Sequence, residues 1–128
     1  MKPIRVLIVD DSAVMRKIVE RSLRQAGIEL QEVLEAGNGV EGLAAIQQCA
    51  VDLILSDINM PAMDGLEFLQ GLRTLDNAKN TPVVMITTEG SESRVVEALT
   101  AGARGYIRKP FTPDQVKERV TPLLEGAR

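Results

Sequence analysis

Ile4-Arg5-Val6-Leu7-Ile8-Val9-Asp10-Asp11-Ser12 carries a short run rich in β-branched residues straight into two carboxylates. So short a run, rich in β-branched residues and ending in acids, reads as a strand. Its nearly continuous apolar character marks a strand buried on both faces, as in a parallel sheet covered by helices. In such a sheet ligands sit at the carboxyl ends of the strands, which is where Asp10 and Asp11 fall.

Outward from this stretch, similar apolar runs recur at Leu53 to Leu55 and Val83 to Ile86, with shorter candidates at Glu32 to Leu34 and Gly105 to Ile107. Helical patterns separate them. Met15, Ile18, Val19, Ser22, Leu23 and Ala26 repeat at three and four residues, closed by Gly27. Further helices fit Val40 to Gln48, Gly65 to Leu72, Glu92 to Ala101 and Pro113 to Leu124. Thr112 caps the last one, with Pro113 in its first turn and Gln115 completing a capping box. Pro122 predicts a kink or an early end there. Strand and helix alternate five times, which predicts an α/β fold, a doubly wound five-stranded parallel sheet with right-handed crossovers and five helices.

The 128 residues suffice for one domain and one core. Balanced apolar and charged content excludes disorder and fibrous repeats. The first apolar run is broken by Arg5 and ends in acids, which suits neither a signal peptide nor membrane insertion. Cys49 is the lone cysteine, so no internal disulfide forms, and a cytoplasmic location is expected. A net charge of -3 with scattered Lys and Arg, and few aromatics, argues against direct nucleic-acid binding. With no histidine, the chemistry must use carboxylates, Lys and hydroxyls.

Asp57 follows the third strand as Asp10 and Asp11 follow the first, so a parallel sheet gathers all three at one edge. Two carboxylates about 4 Å apart repel by roughly 4 kcal/mol at an effective dielectric near 20. Such a cluster calls for protonation or a cation, and oxygen-only ligands with room for water favour Mg2+. Each acid alone has a plainer reading: Asp11 or Ser12 starts the first helix, and Asp57 ends a strand. Lys109, after the fifth strand, brings an ammonium group to the same edge, and Thr87 ends the fourth strand with a hydroxyl. A carboxylate nucleophile, a divalent cation and a Lys are what phosphoryl transfer to Asp57 needs, because the transition state spreads negative charge.

These residues resemble the receiver domains of two-component response regulators, specifically the single-domain CheY-like type, along essentially the whole chain. The resemblance rests on Val9-Asp10-Asp11-Ser12, Ser56-Asp57-Ile58-Asn59-Met60-Pro61, Met63-Asp64-Gly65, Thr87 and Lys109-Pro110-Phe111. It implies the flavodoxin-like strand order 2-1-3-4-5. It implies that Asp57 is the phosphoacceptor, supplied by a sensor histidine kinase (CheA-like), and that Asp11, Asp57 and the Asn59 backbone carbonyl hold Mg2+, with Asp10 acting through water. Lys109 would pair with the phosphoryl oxygens and Thr87 would move to hydrogen-bond them. Tyr106 would turn from exposed to buried, remodelling a surface that partners read; its plainer reading is ordinary strand packing. Asn59 and Glu89 resemble flanking residues that orient water, implying a short-lived phosphorylated state, while Thr88 replaces a smaller residue and restricts access. Phe68, Phe111 and the Met residues are assigned to packing, Met60 and Met63 bordering the site.

One rival comes from another class. Gly37-Asn38-Gly39-Val40-Glu41-Gly42 spells a dinucleotide-binding glycine motif, with Asp57 near the distance of a ribose-binding acid. Against it, the turn follows the second strand, Glu41 brings negative charge toward a pyrophosphate, and Asp10, Asp11 and Lys109 would have no role. The plainer reading makes Asn38 and Glu41 a capping pair. A metal-dependent phosphatase with an Asp nucleophile would need a cap that this length does not supply.

The expectation is therefore a receiver domain over residues 1–128 with no output domain, either a complete chain, which its ends fit, or a receiver piece of a longer regulator. It is a phosphoacceptor signalling protein, not an enzyme in the ordinary sense. The downstream target is a protein, either a motor or motility component of chemotaxis or the next phosphotransfer protein of a phosphorelay.

Overall fold

The structure, a computed structural model, describes residues 2–88 and 92–126. Five strands, β1 (Ile4–Val9), β2 (Leu30–Ala36), β3 (Leu53–Ser56), β4 (Val83–Thr87) and β5 (Gly105–Arg108), alternate with α1 (Ala13–Gln25), α2 (Gly39–Gln48), α3 (Gly65–Leu72), α4 (Glu92–Thr100) and α5 (Pro113–Gly126). All neighbouring strands run parallel, in the order β2-β1-β3-β4-β5.

The two-residue period of the central strands sorts their side chains between two cores. Leu7, Val9, Ile54, Val83 and Met85 meet Ile46, Phe68, Leu69, Leu72 and Ala98 of α2, α3 and α4. Val6, Ile8, Leu53, Leu55, Val84, Ile86 and Ile107 meet Val19 and Leu23 of α1 and Val116, Val120 and Leu124 of α5. Burial of each of these larger side chains stabilises by about 1.5–3 kcal/mol. This two-sided burial is why β1, β3 and β4 read as nearly unbroken apolar runs, with exposed Arg5 the interruption in β1.

Helix termini follow the expected side chains. Ser12 caps α1 by accepting from the Met15 N–H, and Gly27, at φ +86°, supplies the left-handed turn that ends it. Thr112 and Gln115 exchange backbone N–H bonds at the start of α5, as the capping box requires. The early end that Pro122 allowed is not seen: the helix runs through Pro122 to Gly126. Val116, Val120 and Leu124, four residues apart, are buried against the sheet, while Pro122 is exposed. The missing N–H therefore falls on the solvent side, and packing of the apolar stripe holds the last turn.

Candidate functional site

The register of the ladder sets the site. Val9 lies beside both Ala36 and Ser56. The Asp10 N–H donates to the Ala36 carbonyl at 3.0 Å and the Asp57 N–H to the Val9 carbonyl at 2.9 Å. Both acids thus leave the sheet on its last hydrogen bonds. On the other side of β3, Thr87 pairs with Arg108, and the Lys109 N–H donates to the Thr87 carbonyl at 2.9 Å.

From those anchors the side chains converge. Lys109 Nζ donates to Asp10 Oδ2 at 2.9 Å and to Asp57 Oδ2 at 3.3 Å. Asp10 Oδ1 accepts the Ser12 N–H, and Asp57 Oδ1 accepts the Ile58 N–H at 2.7 Å. Each of Asp10, Asp11 and Asp57 offers a carboxylate oxygen within 4.8 Å of the others. Because Ser12 caps α1, Asp11 is not spent on the helix; its exposed carboxylate has no partner among the described residues.

Three carboxylates here share one ammonium. Burial pushes the Asp57 carboxyl above its ordinary range; Lys109 pulls it back, and the charge of Asp10 adds to the rise. Burial by itself would lower the Lys109 ammonium, but the hydrogen bond to Asp10 and the charges of Asp57 and Asp10 raise it on balance. Lys109 therefore stays charged and leaves negative charge in excess. The donor set suits a hard cation: carboxylate oxygens on a rim that Asp11 keeps open, with Cys49 outside the group at the C-terminal end of α2. Asn59, exposed two residues past Asp57, has a carbonyl that accepts no hydrogen bond among the described residues.

The family model described as response regulator receiver domain matches residues 6–121. The chain belongs to the receiver family. Its relatives include the chemotaxis protein CheY1 of Helicobacter pylori, 41% identical over 121 residues that cover 94% of this receiver and 96% of that protein. The chemotaxis protein CheY-3 of Vibrio cholerae is 38% identical over 124 residues, 97% and 94% of the two chains. Among solved structures, the chemotaxis response regulator CheY4 of Vibrio cholerae superposes with a TM-score of 0.83 at 39% identity, covering 96% of this receiver and all of that chain. The complex of CheX, CheY, BeF3 and magnesium from Borrelia burgdorferi contains a chain similar at 32% identity and TM-score 0.83, with coverage of 94% and 89%. The strand order implied by the resemblance is the order observed.

The other expected residues of the receiver are placed as follows. Thr87 is buried at the end of β4, Thr88 is exposed beside it, and Glu89 lies outside the described residues. Tyr106 on β5 is 38% exposed. The glycine motif has a packing role. Added Cβ atoms would fall 2.6 Å from Met63 Cγ at Gly39 and 2.7 Å from Phe68 Cε1 at Gly42, so these glycines let α2 lie close to α3. Glu41 Oε1 accepts the Gly37 N–H, filling with its own carboxylate the turn where a pyrophosphate would have to sit.

Three contributors escaped the sequence reading. A Cβ at Gly65 would come within 2.2 Å of the Asp57 carbonyl oxygen, so only glycine lets α3 start directly under the acid. Asp64 and Glu67 form a capping box that fixes that start, and the Asp-x-x-Glu spacing was its visible signal. Arg16 of α1 donates to the Asp10 carbonyl at 2.6 Å and holds the β1 exit from the helix side.

Proposed function

We propose that this receiver is a phosphorylation-activated signalling switch in which Asp57 accepts a phosphoryl group from the phosphohistidine of a CheA-like kinase. The observation that carries the reading is the meeting of Asp10, Asp11 and Asp57 within 4.8 Å, with Lys109 Nζ on two of them. In the reaction an Asp57 carboxylate oxygen attacks phosphorus, the phosphorus–nitrogen bond breaks, and the histidine departs. Lys109 Nζ passes from the carboxylates to the phosphoryl oxygens and neutralises their charge. Asp11, Asp57 and the Asn59 carbonyl hold Mg2+, with Asp10 assisting through water, and the ion supplies charge neutralisation on the transferring group when bound.

The Thr87 hydroxyl follows the new phosphoryl group, and Tyr106 turns inward. These are contacts that differ between the two states, which is the condition for phosphorylation to bias the switch. Asn59, Thr88 and Glu89 border the phosphoryl group and set its lifetime. Output goes through a protein contact of the chemotaxis or motility type, in keeping with the names of the relatives. The cytoplasm is its proposed location, and among the described residues no helix is long and apolar enough to cross a membrane.

Incubation with acetyl phosphate and mass spectrometry tests the reading. One phosphoryl group is expected on the wild type with Mg2+, none after chelation, and none on Asp57→Asn. Labelling that survives in Asp57→Asn, or proceeds equally without a divalent cation, overturns it.

A further inference from the structure

Tyr106 and Arg119 meet around the open edge of the sheet. Tyr106 is the register partner of Met85, so its side chain stands on the face covered by α2, α3 and α4. Arg119 belongs to α5, which covers the opposite face through Val116 and Val120. Its stem lies along Gly105, where a Cβ would be 4.0 Å from Arg119 Cδ. The guanidinium then reaches past the edge strand and places Cζ 6.0 Å from the centre of the Tyr106 ring. Arg119 has no ion pair among the described residues, so the ring is its charge-stabilising neighbour.

This contact exists only while the ring leans outward. Turning Tyr106 in toward Met85 carries it to the far face of β5 from α5, beyond the reach of Arg119. We propose that Arg119 is a positioning residue that holds Tyr106 outward and so weights the switch toward its resting state; this rests on the switch reading given above. An exposed cation–ring contact shifts the ratio of outward to inward states by about two- to fivefold. Linkage adds a reciprocal effect: acidic groups that draw Arg119 away from the ring favour the inward state by the same factor. The cavity of about 250 Å³ beside the pair, lined by Arg108, Gln115, Glu118 and Arg119 with Tyr106 and Ile107, is where such groups would reach it.

The chain has one Tyr and no Trp, so tyrosine fluorescence, or the ring signals of 13C-tyrosine, report on Tyr106 alone. Wild type, Arg119→Gln and Arg119→Lys are titrated with beryllofluoride at saturating Mg2+. The Arg119→Gln midpoint is expected to fall two- to fivefold, or, where the inward state is already populated, its metal-free ring signal moves toward the activated position. Arg119→Lys, which keeps the charge, falls between the two, and thermal stability without ligand stays close to wild type in both. If midpoint and metal-free signal are both unchanged in Arg119→Gln while the wild-type ring responds to activation, the Arg119 proposal fails and the switch reading stands. If the wild-type ring does not respond at all, both fail.

Discussion

Asp57 and Glu35 are both carboxylates hydrogen-bonded to basic side chains, yet the fold moves them in opposite directions. Glu35, on β2, accepts from Lys17 at 2.7 Å and from Arg16 at 2.8 Å. Those hydrogen bonds, Lys17 first, hold its carboxyl below the ordinary range, against the opposing effect of burial. Asp57 has Lys109 at 3.3 Å but is pushed up, chiefly by burial and further by Asp10. Two conditions separate them. On the α1–β2 surface two cations serve one acid in contact with water; at the sheet edge three acids share one cation, with Asp10 and Asp57 largely shielded from water and Asp11 exposed. The first arrangement fastens two elements together. The second would lower its energy by gaining positive charge, which a bound cation would supply.

The largest break in the comparison should come from Lys109→Met. It leaves Asp10 and Asp57 buried side by side with no counter-charge, and removing one partner of a buried pair costs about 3 kcal/mol or more. Urea unfolding at neutral pH without divalent cations is expected to show that loss, and added Mg2+ to recover much of it. A loss no greater than that of an exposed Lys variant would mean that the site is better solvated than its geometry indicates. Asp57→Asn should act with the opposite sign. It removes the carboxylate that burial disfavours and keeps the Lys109 to Asp10 bond, so stability without Mg2+ is expected to rise by about 1–2 kcal/mol. The gap should narrow as Mg2+ stabilises the wild type alone. A destabilised Asp57→Asn protein contradicts the account of excess negative charge.

What could be read from the sequence divides along the same physical line. Strands β1, β3 and β4 are legible to within a residue because burial on both faces leaves them continuously apolar. The β2 strand runs from Leu30 to Ala36, longer than Glu32 to Leu34: exposed Glu35 interrupts the apolar pattern while its backbone pairs beside Ile8, and Gln31 falls at the register shift between Leu30 and Glu32. The site acids were visible because a parallel sheet converts three positions after strands into one location. That Ser12 and not Asp11 caps α1 was not legible, since either side chain can accept the bond. Neither Gly65 under Asp57 nor Arg16 on the Asp10 carbonyl has a local signature; both depend on tertiary distances. Pro122 misled because its intrinsic cost was weighed without the buried stripe of Val116, Val120 and Leu124.

The smallest effect belongs to Glu35, and it sharpens the contrast by its pH dependence. A carboxyl held below its ordinary value in the folded state binds fewer protons folded than unfolded. Its stabilisation is therefore complete above the ordinary carboxylate value and disappears as pH falls through the lowered one. Glu35→Gln is expected to cost about 0.5–1 kcal/mol at neutral pH, as exposed ion pairs do. Wild type and variant should converge in acid, and high salt should shrink the difference at neutral pH. Arg16 keeps its bond to the Asp10 carbonyl in this variant, so Asp57 labelling by acetyl phosphate should match wild type. Lost labelling would show that the Arg16, Lys17 and Glu35 cluster helps to form the site; a stability difference that grows in acid would reverse the assigned direction of the Glu35 shift.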